Sequence, residues 1–265
     1  MSSDWSSDVC SSDLSWECIQ NLKHGKAIFT QPPMPIKCAG APQKALYLAA
    51  DYWRSQGVLP DIDIQFRNAG GVLFGVSEFV PILQSYMDRY GAQLHFNSNL
   101  VHVDGPRQIA TFHVTDSEGQ TQEVEEAFDY LHAVPPQVAP DFVKNSPLAN
   151  EAGWLDVNPD TLQHTTYTNI FGCGDVISAP NAKTAAAIRK QAPVVARNIR
   201  QYLQHDRPDH LYDGYGSCPL TVERGKVVMA EFGYGGKLLP TIQGLDPTVP
   251  RSIWWAVKAK YLIPI

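Results

Sequence analysis

Thr168-Asn169-Ile170-Phe171-Gly172-Cys173-Gly174-Asp175, followed by Lys183-Thr184-Ala185-Ala186-Ala187-Ile188-Arg189-Lys190-Gln191, is the stretch on which the fold turns. Ile170 and Phe171 have the apolar character of a strand. Gly172 and Gly174 allow a sharp turn and a close approach of backbone to a ligand. Asp175 then stands just past the strand, where a carboxylate accepts hydrogen bonds from a sugar hydroxyl. The run Ala185 to Ala187 opens a helix whose free amides and positive dipole end can face an electron-rich ring or a phosphate. An ordinary strand–turn–helix with a capping aspartate would show the same short motif, so support has to come from the rest of the chain.

Composition narrows the classes. The 265 residues are 44% apolar and 18% charged, which is enough to build one or two cores. A net charge of −6 argues against a surface that tracks phosphates, so no nucleic-acid partner is expected. No apolar run approaches the about 20 residues of a membrane-spanning helix. The first residues lack the basic-then-apolar order of a secretory signal. The five cysteines, Cys10, Cys18, Cys38, Cys173 and Cys218, are odd in number and widely spaced. With no Cys-x-x-Cys pair, no metal site is expected. Reduced thiols or one special redox pair fit this pattern better than a disulfide scaffold.

Four segments emerge from the patterning. Residues 1–14 repeat Ser-Ser-Asp three times, look foreign to the rest of the chain, and are expected to be disordered. In residues 15–134, a short helix over 16–22 precedes strands over 26–30, 62–66 and 93–96. Helices over 43–56 and 77–90 alternate with these strands. Leu46, Tyr47, Ala50 and Trp53 fall at helical spacing. This order predicts a doubly wound parallel unit of the α/β class. An antiparallel hairpin, 109–114 against 121–130, comes after it. Residues 135–210 hold the glycine–aspartate turn and a helix over 184–203. Residues 211–265 hold Cys218, a strand over 226–232, a hairpin at 234–237, and a terminal segment containing Ile253, Trp254, Trp255, Val257, Lys258, Lys260, Tyr261, Leu262 and Ile263.

A nicotinamide dinucleotide would require Gly-x-Gly-x-x-Gly at the first turn of the parallel unit. Lys37-Cys38-Ala39-Gly40-Ala41-Pro42 stands there instead, which argues against NAD(P)H in the usual mode. Cys38 lies in a loop opening a helix, where free amides lower a thiol's pKa, and Lys37 and Lys44 add positive charge. Cys218 lies between Gly216-Ser217 and Pro219, in a segment expected to be an irregular loop. Taken singly, each cysteine is equally consistent with a small buried apolar side chain.

Taken together, the segments resemble the sulfide:quinone oxidoreductases, FAD-dependent flavoproteins with two dinucleotide-binding domains. The resemblance rests on Ile36-Lys37-Cys38-Ala39-Gly40-Ala41-Pro42-Gln43-Lys44, on Tyr215-Gly216-Ser217-Cys218-Pro219-Leu220, on Gly172-x-Gly174-Asp175 and on the Lys183 helix. It runs from about Trp16 to the last residue, in the family's order. It implies a partial Rossmann-like fold with a parallel sheet, an antiparallel hairpin layer and a C-terminal helix in the membrane interface. FAD would be held by Gly172, Gly174, Asp175, Lys183, Thr184, Ala185 and Ala186, with Lys183 favouring an anionic reduced flavin. Cys38 and Cys218 would be the catalytic pair. Sulfide would attack them as a disulfide or sulfur-bridged pair, leaving a persulfide on Cys38 and a flavin-side thiolate on Cys218, with two electrons passed through FAD to quinone. Phe232, Tyr234 and Trp254 are the candidates for a quinone slot. The terminal segment would touch the membrane surface, making the protein peripheral, and an oligomer is compatible with this reading. Cys173 is expected to be a buried neutral thiol, and Cys18 has no expected role.

The family's adenosine-side Gly-x-Gly-x-x-Gly would stand roughly 100–150 residues before Cys38, and the sequence contains no such motif. The chain is therefore expected to be shortened at its N-terminus and to be inactive by itself. Two alternatives stay open at this point. One is a flavin-linked NADH:quinone oxidoreductase of the same architecture. The other is a non-catalytic fragment or scaffold.

Overall fold

The computed structural model describes residues 14–205 and 207–258. The tail expected to be disordered, and Lys260, Tyr261, Leu262 and Ile263 of the terminal segment, lie outside the described residues apart from Leu14, which begins a helical run over 14–21. The α/β architecture is built on a four-stranded parallel sheet. β1 (Gly25–Gln31) lies beside β2 (Ile62–Asn68), β2 beside β3 (Gln93–His95), and β7 (Tyr130–His132) lies on the free side of β1, giving the order β3-β2-β1-β7. Helix α1 (Ala41–Ser55) connects β1 to β2, and α2 (Val80–Arg89) connects β2 to β3. Strand order therefore reverses between β1 and β7, and such sheets take ligands in the crevice outside the carboxyl ends of their strands.

α1 carries the core. Leu46, Tyr47, Ala50 and Trp53 are fully buried, and Trp53 donates from Nε1 to the carbonyl of Ile19 at 2.8 Å. Each large apolar side chain so buried stabilises the fold by about 1.5–3 kcal/mol. Phe29 of β1 packs edge-on against Trp53 at 6.4 Å between centroids. The predicted 77–90 helix divides into a 3-10 turn, Ser77–Phe79, and α2, because Pro81 suits only the first turn of an α-helix.

The predicted hairpin is a three-stranded antiparallel sheet, because β4 (Ser98–Asp104) joins β5 (Ile109–Thr115) and β6 (Thr121–Ala127). Its tie to the parallel sheet is Arg67. This guanidinium pairs with Glu126 at 2.6 Å, donates to Gln65 at 3.0 Å and to Ser98 at 3.3 Å, and stacks over the Phe112 ring. A buried cation is tolerated because its donors are so fully matched.

Residues 168–171 do not form the expected strand. Phe171 has a single bridge to Gln163, and the backbone turns back on itself instead. Ile170 N–H bonds Tyr167, His164 N–H bonds Ile170, and Gly172 N–H bonds Leu162, so local partners satisfy groups that a sheet neighbour would otherwise take. The His164 ring fixes this loop. Its Nδ1 accepts from the amides of Thr166 and Tyr167 at 3.0 and 3.1 Å, which assigns the neutral tautomer with Nε2 donating to Leu148. A one-turn helix, α3 (Asp141–Lys144), precedes this region, and α4 (Ala185–His205) comes after it.

The last part is a two-stranded ribbon, β8 (Gly216–Glu223) against β9 (Lys226–Phe232). Cys218 is therefore in a regular strand, not an irregular loop. Leu220 and Val222 share its face and bury themselves against α1, so the alternation outweighs the disruptive Pro219. The predicted hairpin at 234–237 is a 3-10 turn, Tyr234–Gly236, and a short helix α5 (Ser252–Val257) closes the described chain.

Asn198 of α4 holds the segment that leads into β8. Its Nδ2 donates to the carbonyls of Thr161 and His210 at 2.8 Å each, and its Oδ1 accepts from the amides of Asp209 and His210. Asn198→Ala leaves these groups unsatisfied and is expected to lower the unfolding free energy by about 2–3 kcal/mol, read as a reduced denaturant midpoint at unchanged slope.

Candidate active site

Cys38 sits in the turn between β1 and α1 with φ of 58°, a left-handed conformation uncommon outside glycine. Such strain costs about 1–3 kcal/mol and persists only where neighbours impose it. Here the Cys38 amide donates to the Lys183 carbonyl at 2.8 Å, and its own carbonyl accepts from Ala41 at 2.7 Å. The first of these bonds ties the cysteine loop to the segment between the glycine turn and α4.

β8 brings Cys218 to the same place. The two sulfurs lie 3.7 Å apart, although 180 positions separate them in sequence. The approach depends on Gly40: a Cβ there would stand 2.4 Å from Leu220 Cδ2 and 3.7 Å from Cys218 Cβ. Both thiols are free.

The pair is electrically asymmetric. The Cys218 S–H donates to Cys38 and Lys44 Nζ lies 3.4 Å from the Cys38 sulfur, so the Cys38 thiol is pulled down to about 5 against the cost of its burial. Cys218, hydrogen-bonded to that anion and deeply buried, is pushed well up. The pair thus favours the thiolate at Cys38 over one at Cys218. Of the two lysines expected to assist, only Lys44 acts on the sulfur. Lys37 instead opposes the charge of Lys183.

A cavity of about 570 Å³ opens beside the pair. Gln31 and Asn68, at the carboxyl ends of β1 and β2, line it with Phe74, Lys183, Cys218 and Phe232. Lys183 crosses its wall. The ammonium donates to the Ile177 carbonyl at 2.6 Å and lies 4.3 Å from the centre of the Trp154 ring. Burial brings its pKa down to about 8, with Asp175 opposing that shift. Thr184 caps α4, its Oγ1 accepting from the Ala187 amide at 3.1 Å, so the amides of Ala185 and Ala186 precede the first closed turn. Gly174 has φ of 83°, and its amide donates to Gln191. Gly172 faces apolar side chains, since a Cβ there would stand 2.3 Å from Leu155 and 2.8 Å from Ile177.

The three aromatic residues expected to line one slot do not converge. Phe232 lines the cavity and packs against Phe74. Trp254 is on the opposite face of the ribbon, against Val227 and Met229, because β9 alternates its side chains. The Tyr234 hydroxyl is engaged with the carbonyl of Pro159 at 2.6 Å. Sequence reasoning missed Gln31, Trp154 and Asn181. Gln31 falls just past the predicted strand over 26–30, while Trp154 and Asn181 belong to irregular segments with no period to mark them. Gln31 Oε1 and Asn181 Oδ1 are buried acceptors without a hydrogen-bond partner among the described residues, both in residues that line the cavity. Such atoms fit a planar ligand that carries N–H donors. Among the described residues, no group of His, Cys, Asp and Glu could hold a metal ion.

The thiol asymmetry has a signed consequence. The Cys38 pKa is depressed in the folded state, so its contribution to stability is present above the unfolded value of 9.0 and is lost as pH falls through about 5. Cys218 acts oppositely above pH 9, where the unfolded chain loses a proton that the fold retains. Denaturant titrations between pH 5 and 9 are expected to show stability rising with pH, with a shallower rise in Cys38→Ser.

No family model matches the chain. It is 39% identical over 245 residues to the mitochondrial sulfide:quinone oxidoreductase of mouse (Mus musculus), covering 92% of this chain and 54% of that protein. It is 36% identical over 269 residues to the protein of the same name from Dictyostelium discoideum, covering 100% and 57%. The structure of the sulfide:quinone oxidoreductase from the bacterium Aquifex aeolicus superposes with a TM-score of 0.71 at 17% identity, covering 95% of this chain and 60% of that one, and so shares its fold. The chain spans about half the length of the curated relatives it matches. Over the part of them that it spans, the chain is a homologue of the sulfide:quinone oxidoreductases.

Proposed function

We propose that this chain carries the sulfur-oxidising half of a sulfide:quinone oxidoreductase. The observation that carries the reading is the pair of sulfurs 3.7 Å apart at the edge of a cavity walled by Lys183 and Phe232. A nucleophile attacks a disulfide so that the sulfur with the lower thiol pKa leaves. Hydrosulfide therefore attacks Cys218 of the oxidised pair, the S–S bond breaks, and Cys38 departs as a thiolate beside Lys44. The persulfide forms on Cys218. This exchanges the roles expected from the sequence, where Cys38 was the carrier. A second nucleophile then removes the outer sulfur, and the two remaining thiols give up two electrons and two protons as their S–S bond re-forms. The net change is sulfide sulfur oxidised by two electrons and quinone reduced by two.

The residues fit FAD. Lys183, the Gly174–Asp175 turn and the amides of Ala185 and Ala186 would hold it, with Asn181 offering an acceptor. When bound, FAD supplies the two-electron relay from the thiol pair to quinone. Phe232 is the residue we assign to the acceptor's apolar wall. No helix among the described residues is long and apolar enough to cross a membrane. Access to a bilayer quinone is instead assigned to α5, whose Ile253 is 59% exposed while Trp254 on the other side is buried. An exposed apolar side chain on an otherwise docked helix suits contact with a membrane surface.

Three measurements test this. Oxidised chain treated with sulfide is expected to gain one sulfur atom on the Cys218 peptide by mass spectrometry. In this chain joined to the remaining length of its relatives and loaded with FAD, sulfide-dependent reduction of a soluble quinone is expected to fall at least about 100-fold in Cys38→Ser and Cys218→Ser. Reduction by NADH without any response to sulfide would overturn the reading. Ile253→Glu is expected to weaken co-sedimentation with lipid vesicles several-fold, leaving the persulfide step unchanged.

A further inference from the structure

Beyond Phe232 the chain leaves the ribbon in a glycine-rich excursion, residues 233–241, and returns to Glu231. Gly233, Gly235 and Gly236 line the same cavity as Phe232. Gly235 and Gly236 have φ of 66° and 78°, and a Cβ at Gly233 would stand 2.7 Å from Leu239 Cδ1 and 2.8 Å from the Asp213 carbonyl oxygen. Glycine brings backbone freedom and no side chain to pack, so a wall built from it keeps its place through fastenings at its base. Those fastenings meet at Glu231. The Leu239 amide donates to the Glu231 carbonyl at 3.0 Å. The Glu231 carboxylate is buried and accepts from the Thr241 amide at 2.9 Å, from the Thr241 hydroxyl, and from the Tyr215 hydroxyl at 2.5 Å. No cation forms a salt bridge with it among the described residues. Neutral donors alone hold this carboxylate, and hydrogen bonds to an ionised acceptor are the stronger kind.

We propose that Glu231 is a positioning residue for the electron acceptor: its carboxylate clasps Thr241, and the clasp holds the glycine excursion and Phe232 in the shape that selects the acceptor. The proposal rests on the reading of Phe232 as the acceptor's wall. Alternation along β9 puts Phe232 on the cavity side of the ribbon and Glu231 on the other, opposite Ser217, the residue before Cys218. Glu231 does not itself line the cavity, so it acts through the loop that does. Tyr215 is the second arm of the clasp. It stands just before β8, and Lys190 of α4 lies 5.4 Å from the centre of its ring. The loop is thereby fastened to the segment that leads into the sulfur strand.

Two readouts test this. The first is hydrogen exchange of the 233–241 peptide on the full chain, which needs neither flavin nor sulfide. Thr241→Val removes the hydroxyl and is expected to speed exchange of the Gly233 and Leu239 amides about tenfold, and Glu231→Gln more, because its amide nitrogen then faces a donor. Thr241→Ser keeps both donors and is expected to exchange like the unsubstituted chain. Unchanged exchange in both Thr241→Val and Glu231→Gln overturns the clasp. The second readout is steady-state kinetics in this chain joined to the remaining length of its relatives and loaded with FAD. Thr241→Val is expected to raise the KM for a soluble quinone at least about fivefold, with kcat and the KM for sulfide within about twofold, and Thr241→Ser to reverse the change. Faster exchange with an unmoved quinone KM, or with both KM values moved together, makes Glu231 a support of the fold alone and overturns the proposal. Gain of one sulfur on the Cys218 peptide is expected to be unchanged in Thr241→Val, and its loss overturns the assignment to the acceptor side. Absence of sulfide-dependent quinone reduction in the unsubstituted protein overturns the proposed function and the acceptor role with it, while the exchange result still decides whether Glu231 fastens the loop.

Discussion

The sulfur pair exists because one helix can come unusually close to one strand. At Gly40 the backbone of the β1–α1 turn touches Leu220, and any side chain there would occupy the space of a leucine methyl. That contact brings β8 within reach of Cys38, and the buried face of α1 secures it with Leu46, Tyr47 and Trp53. Packing at the density of a protein interior does not yield by a full ångström, so the sulfur–sulfur distance is set by the core and not by the thiols. The left-handed Cys38 turn is the local expense of this arrangement, and the bond to Lys183 keeps it from relaxing.

The same bond makes two charges neighbours. Lys183 and Cys38 belong to segments far apart in sequence, yet the Cys38 amide bonds the Lys183 carbonyl, which holds the partly buried Cys38 thiol close to the segment whose ammonium lines the cavity. Isolated, either ion would be expensive to bury. Each has a local counterweight. Lys183 has a carbonyl, an aromatic face and Asp175; Cys38 has Lys44 and the Cys218 proton.

Much of this was legible in the sequence where a period governs it. The alternation of 62–66 and the helical spacing of Leu46 through Trp53 pointed to the parallel unit that the structure contains. What escaped was set by contacts remote in sequence. Nothing local shows that the backbone groups of Ile170 and Gly172 find partners in the preceding loop and not in a sheet. Pro219 and the flanking glycines suggested an irregular segment, yet the burial of Cys218, Leu220 and Val222 against α1 made it a strand. The convergence of Cys38 and Cys218 was suggested by family resemblance alone. The roles of Gln31, Trp154 and Asn181 depended on walls that only the folded chain assembles.

The β8–β9 ribbon pairs Gly216 with Phe232 and Cys218 with Ala230. One hairpin therefore bears both the sulfur and the aromatic wall, a strand's width apart and rigidly coupled. A substitution that re-angles the ribbon around Phe232 must also re-aim the Cys218 thiol. A change in the shape of the cavity on that side is therefore transmitted to the sulfur pair, and variation in the cavity is steered towards the neighbouring loops.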